Sequence, residues 1–339
     1  RGAAVDFVLL RGRGELLPLV PKDAAVVDLK AARLRNALLP LARYLRAARP
    51  DALLAIMWPL TSIAVWARAL ARVPTRIVVS DHTDYMAANS DPSLSGRFKL
   101  RSSVRWSYPR ADHVVAVSGG AARSVAALAR MPQDCIAVIH NPVQPPPARD
   151  MEGSCTAAAG WTCHAGPRLI AVGSLKPAKD FALLLSAFAK VRQLADARLL
   201  VLGEGPLRGE LEALRCRLGL DGAVDMPGFV ADPFPYLARA DVFVLSSAWE
   251  GFGNVIVEAL ACGTKVVSTD CPSGPREVLE DGRYGRLVPV GDAGALARAI
   301  LAALDEDHDP AALVRRSRDF SVEKAADRYL RLLMAEHVP

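Results

Sequence analysis

The sequence predicts an α/β protein built from two Rossmann-like domains that face each other across a cleft. Three observations carry that expectation. The chain has 339 residues, more than one hydrophobic core usually fills. Short β-branched runs alternate with helical stretches twice over, the βα alternation of a parallel sheet. Between the two alternating halves, residues 142–167 hold prolines, glycines and small residues with no sustained period, as a linker does.

In the first half, Val5–Leu10, Ala52–Ile56, Arg76–Ser80, His113–Val117 and Ile136–Ile139 read as strands. Between them Ala32–Ala48, Leu60–Ala71, Gly96–Tyr108 and Gly120–Arg130 read as helices. In the second half the strands are Leu169–Val172, Leu199–Leu202, Val224–Met226, Val242–Leu245, Lys265–Ser268 and Leu287–Val288, with helices between them. The expected domains are residues 1–143 and 168–318, joined by a linker at 144–167. A last helix is read at Val322–Met334, within residues 319–339.

Charge is unevenly spread. Residues 1–150 carry 21 Lys and Arg against 11 Asp and Glu, a net +10, whereas the remainder carries 21 against 25, a net −4. An acidic or membrane-surface partner for the first half is one reading, and an Arg-rich solvated surface is the other. The stretch Gly96–Tyr108 mixes Arg and Lys with Phe98, Leu100, Val104 and Trp106. It reads as a basic amphipathic helix that meets an anionic membrane or acceptor, or else packs one face on the sheet. A nucleic-acid partner is not expected.

The six cysteines are scattered without CxxC spacing, so no zinc site is expected and a reduced, cytoplasmic compartment is the default. Asp305, Asp307 and Asp309 alternate as metal-binding acids can, but lie in a polar break between helices and read as a solvated loop. Residues 1–13 lack the ordered regions of a secretory signal. The uncharged run Ala52–Ala67 is short of a membrane span and is divided by Pro59.

The chemistry concentrates at residues 245–260, LSSAWEGFGNVIVEAL. A buried strand ends in Ser246 and Ser247, a glycine-bearing turn follows, and a helix starts near Asn254. In an open α/β sheet ligands bind outside the carboxyl ends of strands, where a helix start offers free N–H groups and positive dipole to anions. Glu250 in the turn and Glu258 in the helix are eight positions apart. That spacing alone is weak, because Glu204 and Glu212 share it. Of that second pair, Glu212 lies among Glu210, Leu211 and Leu214 on an ordinary amphipathic helix.

The surrounding string, SSAWEGFGNVIVEALACGTKVVSTDCPSGPREVL, resembles the retaining family 4 glycosyltransferases of the GT-B fold, and the likeness runs over most of the chain. The resemblance implies that the last helix crosses back to the first domain, and it implies transfer of an α-linked sugar from a nucleotide sugar, with Glu250 and Glu258 as the two glutamates of the E-x7-E signature. It implies that Glu250 bonds sugar hydroxyls, that Glu258 bonds the ribose diol, and that the N–H groups near Phe252, Gly253, Asn254 and Val255 hold the diphosphate without a metal or other cofactor. Lys179, in AVGSLKPAKDF, matches the lysine that neutralises the leaving diphosphate. The family usually has an arginine where this chain has Ser174, a departure that Lys176 could partly offset. Gly205, in GEGP, and Phe229, in PGF, fall where the family meets the nucleotide base, although both also fit ordinary turns. His82, in RIVVSDHTDY, follows a strand at its carboxyl end and matches the histidine beside the reacting sugar.

A further departure lies at the start. The chain opens on what looks like the family's second strand, so a first strand and glycine-rich turn are expected to be missing. The implied function is retaining transfer from a nucleotide sugar, expected to be a UDP-sugar, to a glycan or lipid-linked acceptor, as in cell-surface polysaccharide or glycolipid synthesis. The implied setting is the cytoplasm or the inner face of its membrane. An epimerase or hydrolase on the same architecture, or a non-catalytic nucleotide-sugar-binding remnant, are the alternatives. A nicotinamide dehydrogenase is disfavoured because no GxGxxG follows a strand.

Overall fold

A computed structural model describes residues 2–14, 17–88, 94–144 and 158–334. Every described strand pairing is parallel. β1 (Asp6–Leu9) pairs only with β2 (Ala25–Asp28), while β3 (Ala52–Ile56), β4 (Arg76–Asp81), β5 (His113–Ala116) and β6 (Ile136–Val138) form a separate sheet in that order. The helices of this half are α1 (Leu38–Ala48), α2 (Leu60–Ala71), α3 (Tyr85–Ala88), α4 (Leu94–Ser107) and α5 (Gly119–Ala129).

The sequence reading missed β2, whose four residues are too few to show alternation. It also started the first helix too early. Residues Leu34–Ala37 form a 3-10 turn, and α1 begins so that Pro40 lies in its first turn, where a missing N–H costs no helical bond. The interval read as a structureless linker contains α6 (Ala159–Thr162). There the ring of Trp161 is fully buried and its Nε1 donates to the carbonyl of Leu169 at 2.9 Å. Residues 145–157 of that interval lie outside the described residues.

The second half holds one six-stranded sheet. In chain order it contains β7 (Arg168–Val172), β8 (Arg198–Leu202), β9 (Val224–Gly228), β10 (Val242–Leu245), β11 (Lys265–Thr269) and β12 (Arg286–Val288). Its spatial order is β12-β11-β10-β7-β8-β9. β9 runs through Pro227, which is tolerated because the strand lies on the sheet's edge. The helices are α7 (Phe181–Val191), α8 (Arg208–Arg217), α9 (Phe234–Leu237), α10 (Asn254–Ala261), α11 (Pro275–Val278), α12 (Ala293–Asp305), α13 (Pro310–Ser317) and α14 (Val322–Met334). The central strands β7, β8 and β10 are apolar and almost wholly buried, as strands covered on both faces must be.

α14 returns to the first sheet. Ala325, Tyr329, Leu332 and Leu333 pack on Val78 and Val115, and the Tyr329 hydroxyl lies 2.8 Å from Ser80 Oγ. The helix therefore has the bounds read from its pattern and the crossover that the family resemblance implies. The basic helix α4 turns Leu100 and Val104 inward, but leaves Phe98 and Trp106 72% and 57% exposed. Both aromatic rings thus stand on the solvent side rather than on the packed face. Asp309 caps α13 through the N–H of Ala312, and no group of three or more metal-ligating side chains occurs among the described residues.

Candidate functional site

The spatial order of the second sheet fixes where a ligand can sit. Chain progression runs outward from β7 through β8 to β9, then restarts at β10 and runs the other way through β11 to β12. The reversal falls between β7 and β10, and loops leaving the carboxyl ends of such neighbours diverge to open a crevice. Lys179 follows β7 and Glu250 follows β10, so the two flank that crevice.

They meet in it. Lys179 Nζ donates to Glu250 Oε1 at 2.5 Å, with the side chains 20% and 10% exposed. Ser247 Oγ donates to the same carboxylate oxygen at 2.6 Å. The backbones are tied as well, since Ser246 Oγ donates to the Lys179 carbonyl at 2.8 Å and the Ala248 N–H to the Ala178 carbonyl at 2.9 Å. Gly173 lies against the lysine stem: a Cβ there would stand 3.3 Å from Lys179 Cε. Gly203 takes φ 144°, and a Cβ there would stand 2.0 Å from the Gly173 carbonyl oxygen, so only glycine fits.

After Glu250 the chain turns through Gly253, at φ 89°, into α10. No side chain caps this helix; the Ile256 N–H donates to the Gly253 carbonyl at 3.0 Å, which leaves the N–H groups of Asn254 and Val255 to meet an anion. Glu258 lies one helical turn further in. Burial pushes its carboxyl above the usual range, with the Lys179 charge opposing that shift.

From the first domain, His82 emerges at the end of β4. Burial lowers its imidazole below the usual value, so it is neutral at pH 7, and Nε2 lies 3.3 Å from Ser80 Oγ. Its backbone reaches the second domain directly, because a Cβ on Gly251 would stand 2.0 Å from the His82 carbonyl oxygen. His82, Glu250, Lys179 and the start of α10 are therefore brought together. Ser174 and Lys176 are exposed at the rim. Gly205 lies against the Leu175 backbone, where a Cβ would be 2.5 Å from the carbonyl oxygen, and Phe229 projects outward at the end of β9, 76% exposed. Glu204, in the loop before α8, and Glu212, on α8, both pair with Arg208.

Sequence reasoning missed several of the contacts. Phe252 contributes a ring stacked on His140 at 5.2 Å as well as a backbone N–H. Glu277, inside the quoted string but given no role there, reaches across to α5. Asp81 is buried and accepts hydrogen bonds at 2.5 Å from the hydroxyls of Tyr85 and Tyr108. Burial raises its carboxyl, and the two tyrosine bonds lower it by less.

Two family models match the chain in succession. Residues 1–145 match Glycosyltransferase Family 4, and residues 166–306 match Glycosyl transferases group 1. The chain belongs to the family 4 glycosyltransferases. A Campylobacter jejuni N-acetylgalactosaminyltransferase, named for an undecaprenol-diphosphate-linked acceptor, is 32% identical over 250 residues, or 72% of this chain and 64% of that protein. The lipopolysaccharide core biosynthesis glycosyltransferase LpsE of Rhizobium meliloti is 38% identical over 175 residues, half of each chain. The matched stretches thus span less than two thirds of these relatives.

Among solved structures, the Anabaena HepE protein in complex with UDP and glucose superposes with a TM-score of 0.80 at 21% identity, over 98% of this chain and 92% of that one. The apo lipopolysaccharide outer core galactosyltransferase WaaB superposes with a TM-score of 0.72 at 19% identity, over 97% and 89%. The fold is therefore GT-B, as the resemblance implied.

Proposed function

We propose that this family 4 protein transfers a sugar from a nucleotide sugar, a UDP-sugar, to a glycan or lipid-linked acceptor with retention of anomeric configuration. The observation that carries the reading is the Lys179–Glu250 pair beside the uncapped start of α10, facing His82 across the crevice. The α10 N–H groups and Lys179 hold the diphosphate. The ammonium has three donors, so it keeps its Glu250 bond while neutralising the leaving phosphate. Glu258 accepts from the ribose hydroxyls, and Glu250 and the neutral His82 orient the sugar. A retaining transfer of this kind depends on positioning and charge stabilisation more than on a strong base. Incubating the protein with a panel of nucleotide sugars and candidate acceptors, with Glu258→Ala and Lys179→Ala alongside, tests the assignment. Unchanged UDP affinity in both variants would overturn it.

The acceptor reading includes the inner face of the cytoplasmic membrane. No described helix is long and apolar enough to cross a membrane. α4 carries Arg97, Lys99, Arg101 and Arg105 on exposed positions with no acidic residue among them, and Phe98 and Trp106 stand out beside them. At its end the Arg110 guanidinium lies over the rings of Trp66 and Trp106, at 5.8 and 5.7 Å. Each cation is worth about 1 kcal/mol near an anionic lipid surface, and the aromatic rings suit the interface. Co-sedimentation with phosphatidylglycerol vesicles should be strong at low salt and lost when Arg97, Arg101 and Arg105 become glutamate. Wild-type protein left in the supernatant at low salt would remove the membrane from the reading.

A further inference from the structure

Loops of the two domains also meet beside the crevice, at contacts that the donor-site residues do not explain. α5 begins at Gly119, and its first N–H groups face the second domain. There the Glu277 carboxylate of α11 accepts them: Oε2 lies 2.9 Å from the N–H of Gly119, and Oε1 lies 3.3 Å from that of Gly120. Oε2 is also 3.3 Å from His140 Nε2, just beyond β6. Burial would raise this carboxyl, but the bonds from His140, Gly119 and Gly120 outweigh it and hold the group below its usual range. Arg123 of α5 lies alongside, its Nη1 3.8 Å from where a Gly119 Cβ would be.

Glu277 is itself fixed from behind. Arg316 of α13 donates to the carbonyls of Glu277 and Val278 at 2.7 and 2.9 Å. Three further bonds surround it: Ser118 Oγ donates to the Gly251 carbonyl at 2.7 Å, Ser273 Oγ to Asp84 Oδ2 at 2.6 Å, and Asn141 Nδ2 to Asn254 Oδ1 at 3.0 Å. Packing leaves no slack there, since a Cβ on Gly120 would stand 2.0 Å from Ser273 Oγ. The first of these bonds ends on the residue beside Glu250, and the last on the first residue of α10.

We infer that Glu277 is a positioning residue, which clasps the start of α5 so that the first domain holds His82 in register with the Glu250 turn. The clasp is a carboxylate of one domain serving as the anion for a helix dipole of the other. This role rests on the transferase reading for its consequence, but not for its geometry.

The test compares wild type with Glu277→Ala and Glu277→Gln, by small-angle scattering, UDP titration and initial transfer rates. The alanine variant should show a larger radius of gyration, UDP affinity within about twofold of wild type, and a kcat lower by about tenfold or more through lost register. The glutamine variant, which keeps an acceptor oxygen without the charge, should lie between. An unchanged scattering profile with unchanged kcat overturns the inference. So does UDP affinity falling in parallel with kcat, which marks collapse of the donor loop instead. If wild type transfers nothing, the transferase reading fails, and the scattering comparison still decides the clasp.

Discussion

Replacing Lys179 by methionine removes an ammonium while keeping most of the stem that lies against Gly173. What is lost is the 2.5 Å bond to Glu250, with Glu250 left 10% exposed and answered only by Ser247 at 2.6 Å. A fully buried pair broken on one side costs about 3–5 kcal/mol, and an exposed one about 0–1. With the lysine 20% exposed and a hydroxyl still in place, the expected loss of stability lies between, at about 1.5–3 kcal/mol. The double variant Lys179→Met, Glu250→Gln should recover part of this, with a coupling of about 1–2 kcal/mol in a double-mutant cycle read by urea unfolding. Transfer should fall by about 10–100-fold, because in the proposed role the leaving diphosphate loses the Lys179 charge. A coupling below about 0.3 kcal/mol together with turnover within about twofold of wild type would refute the reasoning.

Glu258→Gln should separate stability from function. Burial raises this carboxyl, so its ionised form costs the folded state stability that is regained as pH falls through the raised value. The glutamine variant should therefore melt about 1–2 °C higher at pH 7 in calorimetry, while isothermal titration shows UDP affinity lower by about tenfold. Wild-type UDP binding should weaken in mild acid, at a higher pH than an ordinary glutamate would set. Gly251→Ala drives a methyl toward the His82 carbonyl, so kcat should drop by about tenfold to a hundredfold with UDP affinity nearly intact. A kinetic assay that finds both parameters unchanged would show that the two loops are not held in contact.

The placement of the candidate residues was legible because they lie near strand ends, where an apolar run stops and a helix pattern starts. Glu250, Glu258 and Lys179 are each within a few residues of such a junction, and the roles proposed for them rest on the family resemblance. The decoy pair Glu204 and Glu212 shares the spacing, but Glu212 lies on a partly exposed helix, as its neighbours implied, and Glu204, in the loop before that helix, shares its Arg208 partner. What could not be read was pairing at long range. Nothing near Glu277 announces that its partner N–H groups lie 158 and 157 positions earlier. The outward turn of Phe98 and Trp106 was hidden for a related reason: periodicity marks which residues are apolar, and only the neighbouring helices decide which of them are covered. Trp161 escaped notice because a single buried anchor in a proline- and glycine-rich interval leaves no periodic trace.

The return of α14 to the first sheet has a consequence for how the protein is made. Val78 and Val115 are covered by a helix near residue 329, and Ser80 and Tyr329 meet across 249 positions. Closing so long a loop is entropically costly and comes late. During synthesis the first sheet must wait, with an apolar face bare, until the whole second half has left the ribosome and brought the helix round. The first domain is thus begun first and finished last, and its uncovered face is the stretch most prone to aggregation while the chain is incomplete.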